Sequence, residues 1–243
     1  MDNTSQFVDV TVFVMASNET DILRETVSGI RENCSDADLD KIVIVAKNDS
    51  CPAYFEAQKI ITESDGKILL YVQKAPNVVL CIAELPPLAE GSHFVIMAGD
   101  MEMHPDSISD FVAQAKLHPE RIICAAKCLS DSCVEGYGFF HSLCSKAMNK
   151  FISILFNADV KDPFSIYQIY PVSVYRKMNF RKDENFLFEY TLKPLHYGCE
   201  YSEVPTVYKK RSQGKSNFDI LTLFKVGAKF CCTAIKIKAA PKR

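Results

Sequence analysis

Two carboxylates separated by one residue, Asp100 and Glu102, follow the apolar run at residues 93–97. From an extended turn, side chains at this spacing can reach a single point. Carboxylate oxygens suit Mg²⁺ or Mn²⁺, and diphosphate oxygens and waters can complete the coordination shell. A metal there would neutralise charge developing on a departing nucleotide diphosphate. The alternative is a solvated turn in which Asp106 or Ser107 caps the following helix.

A second polar cluster, RSQGKS at residues 211–216, carries the cations Arg211 and Lys215 and the hydroxyl of Ser216. Gly214 permits a tight bend in this loop. Two cations and a hydroxyl suit the binding of a diphosphate or a lipid phosphate. A solvated basic surface is the alternative interpretation of the same residues.

Short apolar runs alternate with amphipathic segments in the first half of the chain. This alternation is typical of a largely parallel sheet covered by helices on both faces. Ligands of such sheets bind beyond the carboxyl ends of the strands, so the turns after Ala16, Ala46 and Met97 should meet at one crevice. Strands are predicted at residues 7–16, 41–46, 68–72 and 93–97, and helices at 22–30, 54–62 and 77–84.

The second half of the chain is less regular, with predicted helices at residues 142–156 and 186–196 and strands at 122–126 and 165–171. We found no internal repeat and no low-complexity linker. The pattern therefore predicts one α/β domain at residues 1–218, followed by a C-terminal extension at residues 219–243.

The extension has helical periodicity, with apolar and basic residues on opposite faces. A basic amphipathic helix of this kind can lie in the headgroup region of a membrane, or it can pack on the domain with its lysines in water. The apolar positions are Leu223, Val226, Phe230, Ala234 and Ile237, and the basic ones are Lys225, Lys229 and Lys236.

Charge is distributed unevenly along the 243 residues, although the net charge is −2. From Lys209 onward there are ten basic residues and one acidic residue, so this segment carries +9 and the remainder −11. A local anionic partner such as phosphate or lipid headgroups fits this pattern, whereas nucleic-acid binding would spread the positive charge more widely.

Hydropathy and cysteine usage predict a cytoplasmic protein, with peripheral association with a membrane as the alternative to a free one. No apolar run reaches the roughly 18–20 residues of a membrane span, and the polar N-terminus does not resemble a signal peptide. The ten cysteines have no zinc-like spacing, so we expect mostly buried, reduced thiols.

Several segments, in order, resemble family 2 glycosyltransferases, especially the dolichyl- or polyprenyl-phosphate sugar transferases. VFVMASNETDIL resembles that family's first strand followed by Pro-Ala-Tyr-Asn-Glu, and VIMAGDMEMHPDSI its Asp-Ala-Asp-Leu-Gln-His-Pro-Pro-Glu segment. VKDPFSIYQIY is similar to its Asp-x-x-Ser-Gly-Phe-Arg stretch. The segment from FLFEY to RSQGKS resembles its helix, Glu-Val-Pro strand and Arg-x-x-Gly-x-Ser loop.

The resemblance implies a Rossmann-like GT-A fold, a nucleotide-sugar donor, and Mg²⁺ or Mn²⁺ held by Asp100 and Glu102. It implies a lipid-phosphate or glycan acceptor. It gives catalytic roles to Asp162, Arg211 and Lys215. The implied nucleotide-binding positions are Met15, Ser17, Glu19, Ala46, Asp49, Gly99, Asp100, Lys127 and Ser216.

The sequence departs from the family pattern at residues that matter for turnover. Ala98 replaces the first Asp of Asp-x-Asp, and Ala46 and Lys47 replace the Asp pair after the second strand. A degenerate glycosyltransferase-like protein that binds without turnover is therefore an alternative. A nucleotidyltransferase is a third hypothesis, disfavoured because the chain has no N-terminal glycine-rich, basic phosphate loop.

The family resemblance implies an inverting, single-displacement transfer in which Arg211 and Lys215 stabilise the departing diphosphate. A polyprenyl phosphate is already anionic and needs no strong base, whereas a sugar hydroxyl needs a carboxylate to take its proton. Asp162 is the candidate base. Its alternative role is to cap or orient the adjacent loop.

Overall fold

The computed structural model describes residues 6–126, 139–162, 165–206 and 220–242. Within these residues, strands and helices alternate as far as the fifth strand, as the hydrophobic pattern predicts. The strands are β1 (Val10–Ala16), β2 (Leu39–Ala46), β3 (Ile68–Val72), β4 (His93–Ala98), β5 (Ile122–Ala126), β6 (Gln168–Pro171) and β7 (Tyr201–Pro205). The helices are α1 (Asp21–Asn33), α2 (Pro52–Thr62), α3 (Val78–Glu84), α4 (Ser107–Leu117), α5 (Phe139–Phe156), α6 (Val172–Lys177), α7 (Phe186–Tyr197) and α8 (Ile220–Ala239).

The described strands form one sheet in the order β3-β2-β1-β4-β6-β5-β7. β1, β2, β3 and β4 are parallel to one another, and β7 is parallel to β5. β6 is antiparallel to both of its neighbours. The predicted α/β fold with a mostly parallel sheet flanked by helices is therefore confirmed.

The carboxyl ends of the parallel strands are level with one another. Met15 of β1 pairs with Ala98 of β4, and Ala16 of β1 pairs with Ala46 of β2. The turns after these three strands consequently start side by side at one edge of the sheet. Because β6 runs the other way, its first residue, Gln168, also lies toward this edge.

Alternating strand residues enter two cores, one on each face of the sheet. Val12 and Ile44 belong to the core with α1, α2 and α4, whereas Phe13 and Val45 belong to the core with α3 and α7. Burying each such side chain stabilises the fold by about 1.5–3 kcal/mol. Both faces are covered, which explains the nearly continuous apolar sequence of the strands.

Strand β1 begins at Val10 rather than at Phe7, where the apolar run starts. The backbone N–H groups of Val8 and Asp9 both donate to Oγ of Ser92 instead of to a neighbouring strand. The sequence pattern also missed α6, a short helix that follows Pro171 directly.

The predicted C-terminal helix is present as α8, and its inner face packs on the rest of the chain. Phe230 and Ala234 are buried in a cluster with Ile152 of α5 and Leu192 of α7. The inner face of the helix therefore packs on the domain, which is one of the two arrangements that the sequence allows for the C-terminal extension. The boundary between domain and extension at residue 219 stays a prediction. In the described part of the chain, no helix is sufficiently long and apolar to span a membrane.

The seven cysteine side chains that the structure describes are free thiols, and four of them, Cys34, Cys51, Cys81 and Cys124, are buried. Burial raises the pKa of Cys34 and that of Cys81 to about 11, so both thiols stay protonated near neutral pH. This agrees with the expectation of buried, reduced cysteines.

Candidate functional site

Strand order reverses between β1 and β4, since β2 and β3 extend the sheet on one side of β1 and β4 lies on the other. In open α/β sheets, ligands bind in the crevice outside the carboxyl ends of the strands at such a switch point. The backbone N–H of Gly99 donates to the carbonyl oxygen of Met15 at 2.9 Å. This bond joins the turn after β4 to the loop after β1.

A side chain at Gly99 would make tight contacts with the end of β1 and with α1. A Cβ atom there would lie 3.1 Å from Cδ1 of Leu23, 3.3 Å from the carbonyl oxygen of Met15 and 3.3 Å from Cγ1 of Val14. The absence of a side chain therefore permits the two loops to approach each other. Gly99, predicted as a nucleotide-binding position, is itself buried and shapes the crevice through its backbone.

The loop after β1 folds around the carboxylate of Glu19. Ser17 N–H donates to Oε2 of Glu19 at 2.5 Å, and the carbonyl oxygen of Ser17 accepts from Ala53 N–H at 3.1 Å. Met15, Ser17 and Glu19 are all partly exposed. The predicted site residues of this loop are therefore accessible at the crevice. Helix α2 holds the loop through the hydrogen bond from Ala53 to Ser17.

After β2, the chain becomes exposed immediately. Ala46 is fully buried, so its side chain belongs to the core, and Lys47 N–H donates to the carbonyl oxygen of Ala16 at 3.0 Å. Lys47 and Asp49 are exposed. Asp49 therefore lies at the same edge of the sheet as Ser17, whereas Ala46 can only shape the end of its strand.

Asp100 and Glu102 lie on a tight turn in which Met101 has a positive φ of 59°. Glu102 N–H donates to Oδ1 of Asp100 at 3.0 Å, and both carboxylate side chains are partly exposed. Their oxygens suit Mg²⁺ or Mn²⁺ as ligands. Across the described residues, no group of three or more acidic, histidine or cysteine side chains is placed to hold a metal, so diphosphate oxygens would have to complete a site here.

The helix-capping alternative for this turn is wrong at both proposed residues. Asp106 precedes α4 but makes no side-chain cap hydrogen bond, and its Oδ2 lies 2.9 Å from Nδ1 of His104. The Ser107 hydroxyl lies 2.7 Å from that of Thr206. Asp106 therefore contacts a residue only two positions earlier, whereas the partner of Ser107 lies 99 residues away, which the local sequence could not reveal.

Two contacts that the sequence does not predict connect the segment after the Asp100–Glu102 turn to residues next to β6 and β7. The buried Tyr167 hydroxyl donates to the carbonyl oxygen of His104 at 2.8 Å. The Ser107–Thr206 hydroxyl pair connects the start of α4 to the end of β7. Tyr167 and Thr206 therefore place the ends of β6 and β7 beside the acidic turn.

Asp162, the candidate base, is 5% exposed and precedes β6. The backbone N–H groups of Lys161 and Asp162 donate to Oε1 of Glu203 at 2.8 and 2.7 Å. Burial raises the pKa of Glu203, and the charge of Asp162 raises it further, although the two amides oppose this shift. Two carboxyl groups therefore lie close together here, and sequence reasoning assigned no role to Glu203.

Four of the predicted site residues, Lys127, Arg211, Lys215 and Ser216, lie outside the described residues. Their flanks are described: β5 ends at Ala126, and Thr206 directly follows β7. Because β5 and β7 are parallel, both strands end at the same edge of the sheet. The contact of the basic loop with a diphosphate stays a prediction.

A cavity of about 340 Å³ lies at the opposite edge of the sheet. Its lining includes Arg121, Glu200 and Tyr201, which stand where β5 and β7 begin. The Arg121 guanidinium Nε lies 2.8 Å from Oε2 of Glu200 across its rim. This cavity is therefore separate from the crevice between β1 and β4.

No protein-family profile matches the sequence. Among solved structures, the chain resembles glucosyl-3-phosphoglycerate synthase from Mycobacterium tuberculosis in complex with Mn²⁺, uridine diphosphate and glucosyl-3-phosphoglycerate, at 12% identity and a TM-score of 0.68, over 97% of this chain and 81% of that one. The complex of the same synthase with Mg²⁺ and uridine diphosphate has 11% identity and a TM-score of 0.68, with the same coverage of both chains.

A third structure of that synthase, with Mn²⁺, uridine-diphosphate-glucose and phosphoglyceric acid, gives 12% identity and a TM-score of 0.66, again over 97% of this chain and 81% of that one. Identities this low establish the fold alone. The chain has the GT-A fold, as the sequence resemblance implies.

Proposed function

We propose that the protein is a glycosyltransferase that takes a sugar from a nucleotide-diphosphate donor bound between β1 and β4. The observation that carries this proposal is the bond from Gly99 N–H to the Met15 carbonyl oxygen. It brings the accessible loop of Ser17 and Glu19 against the Asp100–Glu102 turn at the switch point of the sheet. The GT-A fold supports the same placement.

Asp100 and Glu102 would hold a Mg²⁺ or Mn²⁺ ion, which when bound supplies positive charge beside the departing diphosphate. The solved neighbours contain one of these ions together with uridine diphosphate. Ser17, Glu19 and Asp49 would contact the nucleoside, because they surround the same edge of the sheet. Arg211 and Lys215 would stabilise the leaving diphosphate.

The transfer is a single displacement in which an acceptor oxygen attacks the anomeric carbon as the bond to the diphosphate breaks. A phosphate-bearing acceptor is supported by two of the solved neighbours, which contain glucosyl-3-phosphoglycerate and phosphoglyceric acid, respectively. A polyprenyl phosphate, which the sequence resemblance implies, would attack through a phosphate oxygen, whereas an acceptor such as phosphoglyceric acid would attack through its hydroxyl. A sugar hydroxyl would need Asp162 to accept its proton.

Delivery of a lipid acceptor would use α8, and the protein would then be cytoplasmic and peripheral on the membrane. Lys225, Ile235 and Lys236 are exposed on the side of α8 opposite Phe230. Co-sedimentation with vesicles of anionic phospholipid tests this part, with Lys225→Glu/Lys236→Glu as the variant. Equal sedimentation of variant and native protein would contradict a membrane role for α8.

A thermal-shift panel of uridine, guanosine and cytidine diphosphate sugars, with and without Mn²⁺, tests the donor site. A ligand at 100 times its Kd stabilises the native state by about 2.7 kcal/mol. We expect one donor to raise the Tm in the presence of metal, and Asp100→Asn to abolish this increase. Asp106→Asn is the matched control, since Asp106 is exposed on the next turn and pairs with His104. No response to any nucleotide would overturn the proposal.

Ala98 favours one second candidate, a glycosyltransferase-like protein that binds a nucleotide without turnover. Ala98 ends β4 and offers no ligand where the family pattern has an Asp. Measuring donor hydrolysis and transfer to phosphate and hydroxyl acceptors separates the two. Metal-dependent binding without either reaction would support the binding protein, whereas transfer would exclude it.

A further inference from the structure

The segment between α5 and residue 162 is fixed by hydrogen bonds at both of its ends. At the α5 end, Ser153 Oγ donates to the carbonyl oxygen of Ala158 at 2.5 Å, and Ala158 N–H donates to the carbonyl oxygen of Ser153 at 3.0 Å. At the other end, the N–H groups of Lys161 and Asp162 share one acceptor, Oε1 of Glu203. The backbone position of Asp162 therefore depends on a side chain of β7.

Adjacent backbone amides that point at one anionic oxygen form a strong, directional contact. Burial raises the pKa of Glu203, as does the charge of Asp162, and the amides of Asp162 and Lys161 lower it. Cys124 of β5 also faces this region, and burial raises the pKa of its thiol well above the usual value. Its Sγ donates to Gln168 Oε1 at 3.0 Å, so the thiol satisfies a different acceptor.

We propose that Glu203 is a positioning residue for Asp162, holding the backbone of residues 161–162 so that the Asp162 carboxylate stays beside the reacting groups. This inference rests on the proposed function, because Asp162 has a catalytic role only in sugar transfer. The contact with Glu203 exists without substrate and can be tested separately.

Strand β7 does not depend on the Glu203 side chain. Its backbone pairs with β5 along all five residues, and the neighbouring Val204 is buried in the core. Variants at position 203 should therefore retain the strand while losing the contact with the segment before β6. Misplacing a catalytic group by about 1 Å can cost on the order of 10²-fold in rate.

Amide hydrogen exchange measured by NMR tests the contact directly. Glu203→Ala removes the shared acceptor, so exchange at Lys161 and Asp162 should accelerate by about tenfold or more. Glu203→Gln keeps an oxygen acceptor and should stay within a few-fold of the native rate. Glu200→Ala, at an exposed position just before the same strand, is the matched control and should change neither amide. Exchange at Lys161 and Asp162 that keeps the native rate in Glu203→Ala would overturn the inference.

Steady-state kinetics with a hydroxyl acceptor test the consequence for catalysis. We expect kcat to fall by roughly 10²-fold in Glu203→Ala, with partial recovery in Glu203→Gln and an unchanged KM for the donor. A native kcat in Glu203→Ala, or equal losses in Glu200→Ala, would contradict a positioning role. If the native protein bound no nucleotide, the proposed function would fail, while the exchange rates would still decide whether Glu203 holds this segment.

Discussion

Replacement of Gly99 by alanine tests the close approach of the loops after β1 and β4. The new methyl group would lie 3.1 Å from Cδ1 of Leu23 and 3.3 Å from the carbonyl oxygen of Met15. The Leu23 side chain can rotate away. The Met15 carbonyl belongs to the central strand and also accepts the Gly99 N–H bond, so any shift of this carbonyl away from the methyl group would weaken that bond.

Overpacking of this kind costs about 1–3 kcal/mol of unfolding free energy. In a domain of this size, each kcal/mol lowers the Tm by about 2–4 °C, so we expect a decrease of roughly 2–12 °C. The displaced turn carries Asp100 and Glu102, and metal-dependent nucleotide binding should weaken as well.

Gly227→Ala is the matched control. Among the described residues, a methyl group there would meet Cε of Met148 at an ordinary 3.4 Å, and Gly227 lies within α8. Replacing a helical glycine by alanine stabilises by up to about 1 kcal/mol, so the two variants should shift stability in opposite directions. Urea denaturation and calorimetric titration with nucleotide measure both effects. A Gly99→Ala protein with native stability and affinity would refute the reasoning.

Three further predictions concern buried ionisable groups. Burial lowers the pKa of His93 to about 4 from 6.5, so the native state resists protonation of this side chain. The free energy of unfolding is therefore highest above pH 6.5 and decreases by about 3 kcal/mol toward pH 4. Urea denaturation of His93→Gln should show a smaller decrease over the same pH range. Glu189 is 2% exposed and is paired with Lys193 and Arg181, so Glu189→Ala should lower the free energy of unfolding by about 2 kcal/mol. The exposed Glu184→Ala should lower it by less than about 1 kcal/mol. Asp162→Asn should slow transfer to a hydroxyl acceptor by at least about 10²-fold but leave transfer to a phosphate oxygen nearly unchanged. Equal losses of rate with both acceptors would contradict the role of Asp162 as the base.

The order and type of the main elements could be predicted because each has a strong local pattern. β3 has the predicted bounds, and α2 and α3 differ from prediction only at their first residues. Strand ends depend on partners far along the chain, as the bonds from the N–H groups of Val8 and Asp9 to Ser92 Oγ demonstrate. The apolar run therefore predicts the start of β1 too early.

The candidate site was only partly predictable for the same reason. Asp100 and Glu102 stand out because they follow a buried strand. In contrast, Tyr167 and His104 are 63 residues apart, and Ser107 lies 99 residues from Thr206. No periodicity or spacing encodes contacts at such distances. They form because β6 and β7 lie in the same sheet as β4, and the Thr206 contact gives the Ser107 hydroxyl a partner other than the helix backbone.

Paramagnetic broadening of NMR signals by Mn²⁺ in the presence of a nucleotide diphosphate tests the central claim most directly. With a metal between Asp100 and Glu102, signals from residues 99–103 and from the loop at Ser17 and Glu19 should broaden first. Signals from the cavity at the opposite edge, around Arg121 and Tyr201, should remain sharp. Broadening centred on that cavity, or broadening that is unchanged in Asp100→Asn, would contradict a donor site between β1 and β4.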